Sequence, residues 1–389
     1  MANPSCKTNG QLLKAIHEGA VLKAVRDNGP LSRAEISEMT GLTAPTVSSL
    51  LQSLAEQGVI RTCGIGESTG GRKPVLFEFH PGAAVVVGVD VGATKMAGGL
   101  TNLAGQVLAR ETITRSNGPA DSYERLSLLI ERLLAAVPAG VPVRGIGLGV
   151  AGVTRLAEGT VTLAPGLGWS EYPLGRLLEQ RFGLPVFLDN DVNAILLGEC
   201  WFGVARGERN VLCMAVGTGI GAALSIEGRL YRGANDAAGE VGYVATDRSA
   251  LSRPPVTKGA YGFLEGEAAG PGIARRGSEA LGRTVTAPEV FRLAAAGDAA
   301  AQAVVAETAS HLGLALANMV CLINPELVVL TGGVMRSGDQ LIGPIRQVVE
   351  RLVPYPPRIV LSELKEEAGI LGGVALVLEA ERRSLTLEP

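Results

Sequence analysis

Four short segments of this chain carry residue types suited to chemistry on a phosphate ester or a hydroxyl. Asp189-Asn190-Asp191-Val192-Asn193 sets two carboxylates and two amides directly after the apolar run Phe187-Leu188, where a helix opens over residues 194–198. Phosphoryl transfer to a hydroxyl needs a base that orients and deprotonates it. Asp191 is the candidate base, with Asn190 beside it to bind a neighbouring sugar hydroxyl. Asp and Asn also favour helix N-caps, and both roles can coexist, because a cap at a cleft is already placed for ligands. The second segment is Asp90-Val91-Gly92-Ala93-Thr94-Lys95 and the third is Gly217-Thr218-Gly219-Ile220-Gly221. In both, glycines let the backbone turn tightly and leave amides free for an anion. Lys95 adds charge and Thr94 a hydroxyl. The fourth, Thr331-Gly332-Gly333, ends a strand pattern and suits the edge of a nucleotide base or ribose.

Strands must carry these loops. Residues 85–90 are almost wholly apolar up to Asp90, residues 96–100 return, and Leu103-Ala104-Gly105 turns again. Residues 211–216 and 222–226 flank the third segment in the same way. Strand–turn–strand, not strand–turn–helix, separates both from a dinucleotide-binding fingerprint. The echo implies two duplicated α/β lobes, each lending a hairpin to a phosphate. The helical pattern around residues 306–322 reads as core.

Upstream the pattern changes. Leu12, Leu13, Ile16, Val21, Leu22 and Val25 recur at helical spacing, and Asn28-Gly29-Pro30 ends that helix. Ser32 and Glu35 form a capping box opening a short helix to Met39. Thr40-Gly41-Leu42 is a tight turn, and Thr43 caps a third helix with Pro45 in its first turn. Val47, Leu50, Leu51 and Leu54 face inward. Thr43, Ala44, Thr46, Ser48, Ser49 and Gln52 face outward, and small hydroxyl side chains let a helix lie close in a major groove. Residues 59–61 and 75–79 read as strands of a wing with Arg72 and Lys73 at its tip, suited to phosphate or minor-groove contact. A small helical dimerisation domain is the alternative. The order helix, short helix, glycine turn, helix, wing favours DNA, with Arg33 among the contacting residues.

Residues 1–80 hold 8 Lys and Arg against 7 Asp and Glu, in a chain of net charge −3. DNA binding must therefore rest on where charge is placed, not on how much there is. The 389 residues, 47% hydrophobic with 52 glycines, suit a large α/β protein of two or three domains and exclude a fibrous or disordered one. Five scattered cysteines (Cys6, Cys63, Cys200, Cys213, Cys321) without a CxxC pair read as reduced thiols. No apolar run reaches the roughly 18 residues of a membrane span. A cytoplasmic protein without a membrane partner is expected.

Together these segments resemble the ROK (repressor, ORF, kinase) family over essentially the whole chain, and residues 32–54 with Gly71-Arg72-Lys73-Pro74 resemble the winged helix of its transcriptional regulators. The resemblance implies a winged helix-turn-helix DNA-binding domain over 1–80. It implies a two-lobed actin-like/hexokinase ATPase (ribonuclease H-like) α/β domain over 83–389, with lobes of roughly 83–200 plus a C-terminal helix 370–385, and 201–369. Phe79, His80, Pro81 and Gly82 alone join the two. By the same resemblance Asp90, Gly92, Thr94, Lys95, Gly217, Thr218, Gly219, Gly221, Gly332 and Gly333 would surround ATP, with Asp90 near Mg²⁺. Gly152, Asn190, Asp191, Glu240, Tyr243 and Glu265 would line the sugar, with Asp191 as catalytic base.

The chain departs from the family at its zinc site. The histidine of ExGH reads Tyr243, and the cysteines of CxCGxxGC read Val256, Lys258 and Phe263. Zinc binds thiolate, imidazole or carboxylate, so no structural zinc is expected. The sugar pocket changes as well. The family's Pro-Gly reads Ala151-Gly152, a loop that often carries Asn reads Ala164-Pro165-Gly166, and Tyr243 is longer than the histidine that reaches a sugar hydroxyl.

Two functions stay open, with a bifunctional protein as a third. One is a sugar-responsive transcriptional regulator of carbohydrate metabolism, a repressor, with a double-stranded DNA operator, a small sugar effector and a homodimeric or homotetrameric state. The other is an ATP-dependent sugar kinase of hexokinase or glucokinase type. The fused winged helix favours the regulator. The intact phosphate loops and Asp191 favour the kinase.

Overall fold

A computed structural model describes residues 9–67, 73–92, 94–114, 119–252 and 261–386, so Arg72, Val256 and Lys258 lie outside the described residues. The chain opens with α1 (Asn9–Asn28), β1 (Leu31–Ser32), α2 (Arg33–Thr40) and α3 (Ala44–Glu56), followed by β2 (Ile60–Ile65) and β3 (Val75–Phe79). The capping box forms as the sequence predicts. Glu35 N donates to Ser32 Oγ at 3.3 Å and Ser32 N donates to Glu35 Oε2 at 2.7 Å. Gly41 ends α2 at φ +68°, a left-handed conformation that costs glycine nothing.

Thr43 corrects its expectation. It occupies the N-cap of α3, yet its side chain makes no cap bond and pairs with Thr46 Oγ1 at 2.9 Å. A cap oxygen accepts from the second or third helical N–H; Pro45 in second place has none, while Thr46 N in third place remains, and the Thr43 hydroxyl pairs with the Thr46 side chain instead. β1 was not anticipated, since two residues carry no alternation signal. It pairs with β3, which also pairs with β2, giving a sheet of order β1-β3-β2.

The first lobe runs β4 (Val85–Val91), β5 (Lys95–Asn102), β6 (Val107–Thr114), α4 (Pro119–Ala135) and β7 (Val143–Val150). A small three-stranded sheet follows, β8 (Val153–Arg155), β9 (Thr160–Ala164) and β10 (Trp169–Tyr172), also absent from the sequence expectation. Then come α5 (Leu174–Phe182), β11 (Val186–Asn190) and α6 (Asp191–Phe202), longer at both ends than the 194–198 expected. The second lobe runs β12 (Val211–Val216), β13 (Ile220–Ile226), β14 (Arg229–Tyr231), α7 (Phe263–Ala268), α8 (Gly270–Leu281), α9 (Ala287–Ala295), α10 (Ala299–Ile323), β15 (Leu327–Thr331), α11 (Gly338–Leu352) and β16 (Arg358–Leu361), and α12 (Ala368–Thr386) returns to the first lobe.

The two large sheets have one topology, β11-β7-β4-β5-β6 and β16-β15-β12-β13-β14. In each, an antiparallel meander is extended by two parallel strands. The duplication read from the glycine loops is therefore present in the fold. Among the described residues α10 is the one helix long and apolar enough to cross a membrane, and most of that stretch is buried. It packs on α7, α8, α9 and α11, burying Leu312, Ala315, Leu316 and Val320.

Two helices tie everything together. α12 lies on the first sheet backbone to backbone: a Cβ on Gly147 would fall 1.8 Å from Gly373 O, and one on Gly88 2.1 Å from Ile370 O. α6 packs along α12, where a Cβ on Gly198 would meet Gly372 N at 2.9 Å. On their far side Val192, Leu196, Leu197, Ala375 and Leu376 share a buried cluster with Val211, Cys213, Leu327 and Val329 of the second sheet. α12 also gives Val374, Val377 and Leu378 to the cluster that contains Val21, Val25, Ile36, Leu51 and Phe77 of the N-terminal helices and strands. The N-terminal core is thus continuous with the body of the protein.

Candidate functional site

Parallel strands present their C-terminal ends, where ligands of open α/β sheets bind, along one edge. In the first sheet Asp90 of β4 and Asp189 of β11 both lie opposite Gly149 of β7. Gly92, Gly152 and Asp191 therefore emerge side by side, and Ala151 N donates to Val91 O at 3.1 Å between the first two. In the second sheet Ala215 lies opposite Thr331, so Gly217 and Gly332 emerge together. A Cβ on Gly217 would stand 3.9 Å from Gly333 N, and Gly270 N at the start of α8 donates to Gly217 O at 2.8 Å. Thr94, Lys95, Thr218 and Gly333 are exposed at these loops.

Asn190 is the N-cap of α6. Its Oδ1 accepts from Val192 N at 2.9 Å and Asn193 N at 3.3 Å, and its Nδ2 donates to Gly152 O at 3.0 Å. Capping and loop bracing take most of the amide's capacity, leaving one N–H for a ligand. Asp191, the first residue of α6, accepts from Val192 N at 3.0 Å. Burial, then the neighbouring charge of Asp90, and last that of Glu240, push its carboxyl up to about 7. Burial likewise pushes Asp90 up to about 6, against the pull of the Lys95 ammonium. A buried carboxyl near 7 has the proton affinity of a general base at neutral pH.

That placement has a stability consequence. Asp191 titrates higher folded than its ordinary 3.8, so its ionisation disfavours the native state. The penalty is absent below the ordinary value, grows as pH rises from there, and is complete above about 7. Asp191→Asn is expected to melt about 2–3 °C above the wild type at pH 8, about 2 kcal/mol, and to match it near pH 4. Calorimetric scans at the two pH values check this, and an equal gain at both would count against the assignment.

Glu265 braces the second loop: its Oε1 accepts from Ile220 N and its Oε2 from Gly262 N, each at 3.0 Å. Gly219 and Gly242 make room for it, since a Cβ on either would lie 2.6 Å from the carboxylate. Glu240 stands at the turn Val241–Tyr243, its carboxyl raised by burial and by the charge of Glu265. Tyr243 is 36% exposed. Phe263, aligned with one family zinc cysteine, is buried with its ring 6.1 Å from His311, whose Nδ1 lies 2.7 Å from Thr246 Oγ1. Among the described residues no group of three or more His, Cys, Asp or Glu side chains could hold a metal.

On the N-terminal segment Thr43, Ala44, Ser49, Gln52 and Lys73 are exposed, and Thr46 and Ser48 are half-buried. Gln52 Nε2 donates to Glu56 Oε1 at 3.0 Å. Arg33 is exposed, but its guanidinium stacks over the Phe77 ring at 5.5 Å, which ties it to the wing.

Two arrangements escaped the sequence. Arg232, just after β14, directs Nε at 3.0 Å and Nη2 at 2.6 Å to Asp189 Oδ2. At the other end of α6, the Arg26 guanidinium lies 5.2 Å over the Trp201 ring, and Arg206 Nη2 is 3.6 Å from Asp27 Oδ1. A buried Asp near a strand end signals the need for a cation, but nothing local names which arginine supplies it.

Residues 86–380 match the ROK family, and residues 16–61 match a winged helix-turn-helix DNA-binding family. A putative xylose repressor of Caldicellulosiruptor sp. is 34% identical over 390 residues, covering 95% of this chain and 97% of that protein. A glucokinase of Halalkalibacterium halodurans is 33% identical over 318 residues, covering 76% of this chain and 95% of that protein. A solved ROK family transcriptional regulator, homologous to the Escherichia coli Mlc protein, superposes with a TM-score of 0.83 at 25% identity, covering 97% of this chain and 98% of its own. A Streptomyces griseus ROK family glucokinase, solved with glucose and AMPPNP, gives 0.65 at 28% identity, covering 76% of this chain and 99% of its own. With its first glycine loop, its duplicated sheets and its N-terminal winged helix-turn-helix, this chain belongs to the ROK family.

Proposed function

We propose that this protein is a sugar-responsive transcriptional repressor, with a DNA-binding domain over residues 1–80 and a sugar-binding domain over 83–389. One observation carries the reading. The repressor relative covers 95% of the chain, N-terminal segment included, whereas the glucokinase relative covers 76%. Thr43 and, on α3, Ala44, Thr46, Ser48, Ser49 and Gln52 enter the major groove, with Arg33, Arg72 and Lys73 on phosphates. The effector is a small aldose held by Gly152, Asn190, Asp191, Glu240, Tyr243 and Glu265. D-xylose comes first, because several relatives are named xylose repressors. The protein acts in the cytoplasm as a homodimer or homotetramer, which suits a two-fold operator.

A kinase-like reading has its own support, the raised carboxyl of Asp191. The glycine loops fit a nucleotide: they converge around Gly217 and Gly333, and a Cβ on Gly333 would meet nothing within 4 Å. Gly92, Thr94, Lys95, Gly217, Thr218, Gly219 and Gly221 would hold the phosphates of ATP, Gly332 and Gly333 its adenosine, and Asp90 a Mg²⁺. Mg²⁺–ATP would supply the phosphoryl group, and Asp191 would take the proton of the sugar hydroxyl.

Selection of an operator from random duplex DNA, followed by titration with D-xylose and D-glucose, tests the regulator. Nanomolar binding to a two-fold sequence is expected, weakened at least about fivefold by one sugar. DNA binding indifferent to every aldose, together with sugar phosphorylation lost in Asp191→Asn, would instead establish the kinase.

A further inference from the structure

Asp189 is the penultimate residue of β11 in the first lobe, and Arg232 opens the loop after β14 in the second. Asp189 is 2% exposed and all its acceptor positions are taken. Oδ2 receives both guanidinium N–H groups of Arg232, while Oδ1 receives Asn190 N at 2.7 Å and Asn193 Nδ2 at 2.9 Å. The bridge thus ends on the backbone amide of Asn190 and on the first turn of α6. On its other side Arg232 is fixed in its own loop, because Arg232 O accepts from Ala238 N at 2.9 Å. The loop closes on β13, where Gly239 O accepts from Ala222 N at 2.8 Å. Gly239 sits at φ +94°, with no room for a Cβ, which would lie 1.9 Å from Ala222 O. Glu240 follows directly. One guanidinium therefore joins the root of the segment bearing Asn190 and Asp191 to the root of the segment bearing Glu240, across the lobes.

We propose that Arg232 is a positioning residue for the sugar cleft: through Asp189 it sets the separation of Asn190 and Asp191 from Glu240, and so the affinity for an aldose. This rests on the sugar-binding reading above. Arginine is required because two N–H groups at fixed angle converge on one oxygen of a nearly dry carboxylate. A lysine ammonium keeps the charge but not the fork.

An unpaired buried carboxylate is strongly unfavourable, so Arg232→Ala alone would confound positioning with folding. The informative variants are Arg232→Lys and the neutral pair Asp189→Asn with Arg232→Met. Calorimetric titration with D-xylose, D-glucose and N-acetyl-D-glucosamine reads the cleft, and operator affinity without sugar reads the rest of the molecule. Arg232→Lys is expected to lose about tenfold or more in aldose affinity, with operator affinity within about twofold. The double variant is expected to melt within a few degrees of the wild type while its aldose affinity stays about tenfold down. Wild-type aldose affinity in Arg232→Lys, or recovery of both properties in the double variant, would reduce the pair to a structural bridge and overturn the proposal. If the wild type binds none of the three sugars, the sugar reading fails and this inference falls with it.

Discussion

Gly147→Ala is expected to destabilise the protein by about 3 kcal/mol or more, read as a lower urea midpoint in circular dichroism. A methyl group at this position would stand 1.8 Å from Gly373 O, closer than any non-bonded contact. Neither partner can yield cheaply. Gly147 lies in β7, between β4 and β11, and Gly373 lies in a helix also locked against Gly88 and Gly198. Relief would require α12 to lift from the sheet, exposing the side chains it shares with both the second sheet and the N-terminal core. Operator affinity is therefore expected to fall along with sugar affinity. Gly19→Ala in α1 is the control. Nothing lies within 4 Å of its Cβ position, so that change should be neutral or stabilising by about 0.5–1 kcal/mol. Equal losses at the two positions would refute close packing of α12 as the cause.

Trp201→Ala is expected to separate the two binding functions. α6 spans about 18 Å. It starts at the Asn190 cap and Asp191 and ends at Trp201 and Phe202 beside α1. Its end meets α1 through the Arg26–Trp201 stack and the packing of Trp201 and Phe202 on the N-terminal core, and just past it Arg206 pairs with Asp27, the stack and the ion pair worth about 1 kcal/mol each at most. Removing the indole leaves the cleft and the exposed face of α3 untouched. Aldose affinity and sugar-free operator affinity are expected to stay within about threefold of the wild type. The drop in operator affinity on adding sugar, normally about 5–150-fold for such coupling, is expected to shrink severalfold. Some coupling should remain, because α12 touches the same N-terminal core independently. Fluorescence anisotropy of a labelled operator, with and without sugar, reads all of this. Undiminished release of DNA by sugar in the variant would exclude α6 as the route.

The tertiary structure sharpens the relation between these functions. A joint as short as Phe79, His80, Pro81 and Gly82 suits passing lobe motion to the wing rather than letting two domains act independently. The fold adds broader contact: the N-terminal core runs on into α12, Arg26 rests on the end of α6, and Asp27 pairs with Arg206 just past it. Both helices also line the boundary between the lobes.

What the sequence determined by itself was local. The capping box at Ser32 and Glu35, the stop at Gly41, the inward stripe of α3 and the glycine loops at 92 and 217–221 are legible because cause and effect lie within a few residues. Repetition of one strand–glycine–strand pattern was enough to announce the duplicated lobes, since each half repeats the same local signal. Even so, Thr43 shows that a residue can hold the cap position without making the cap bond, its hydroxyl pairing with the Thr46 side chain instead. The tertiary structure alone decided who meets whom. Asp189 is buried because Arg232, 43 positions away, reaches it, and several other arginines would satisfy the same local pattern. Asp191 holds its proton near neutrality because burial and the charges of Asp90 and Glu240, distant in the chain, act together. α12 crosses the first sheet because glycines far apart in sequence happen to coincide in space. Desolvation, ion pairing and backbone contact depend on distances that no local pattern specifies, so the residues are written in the sequence and their chemistry is set by the fold.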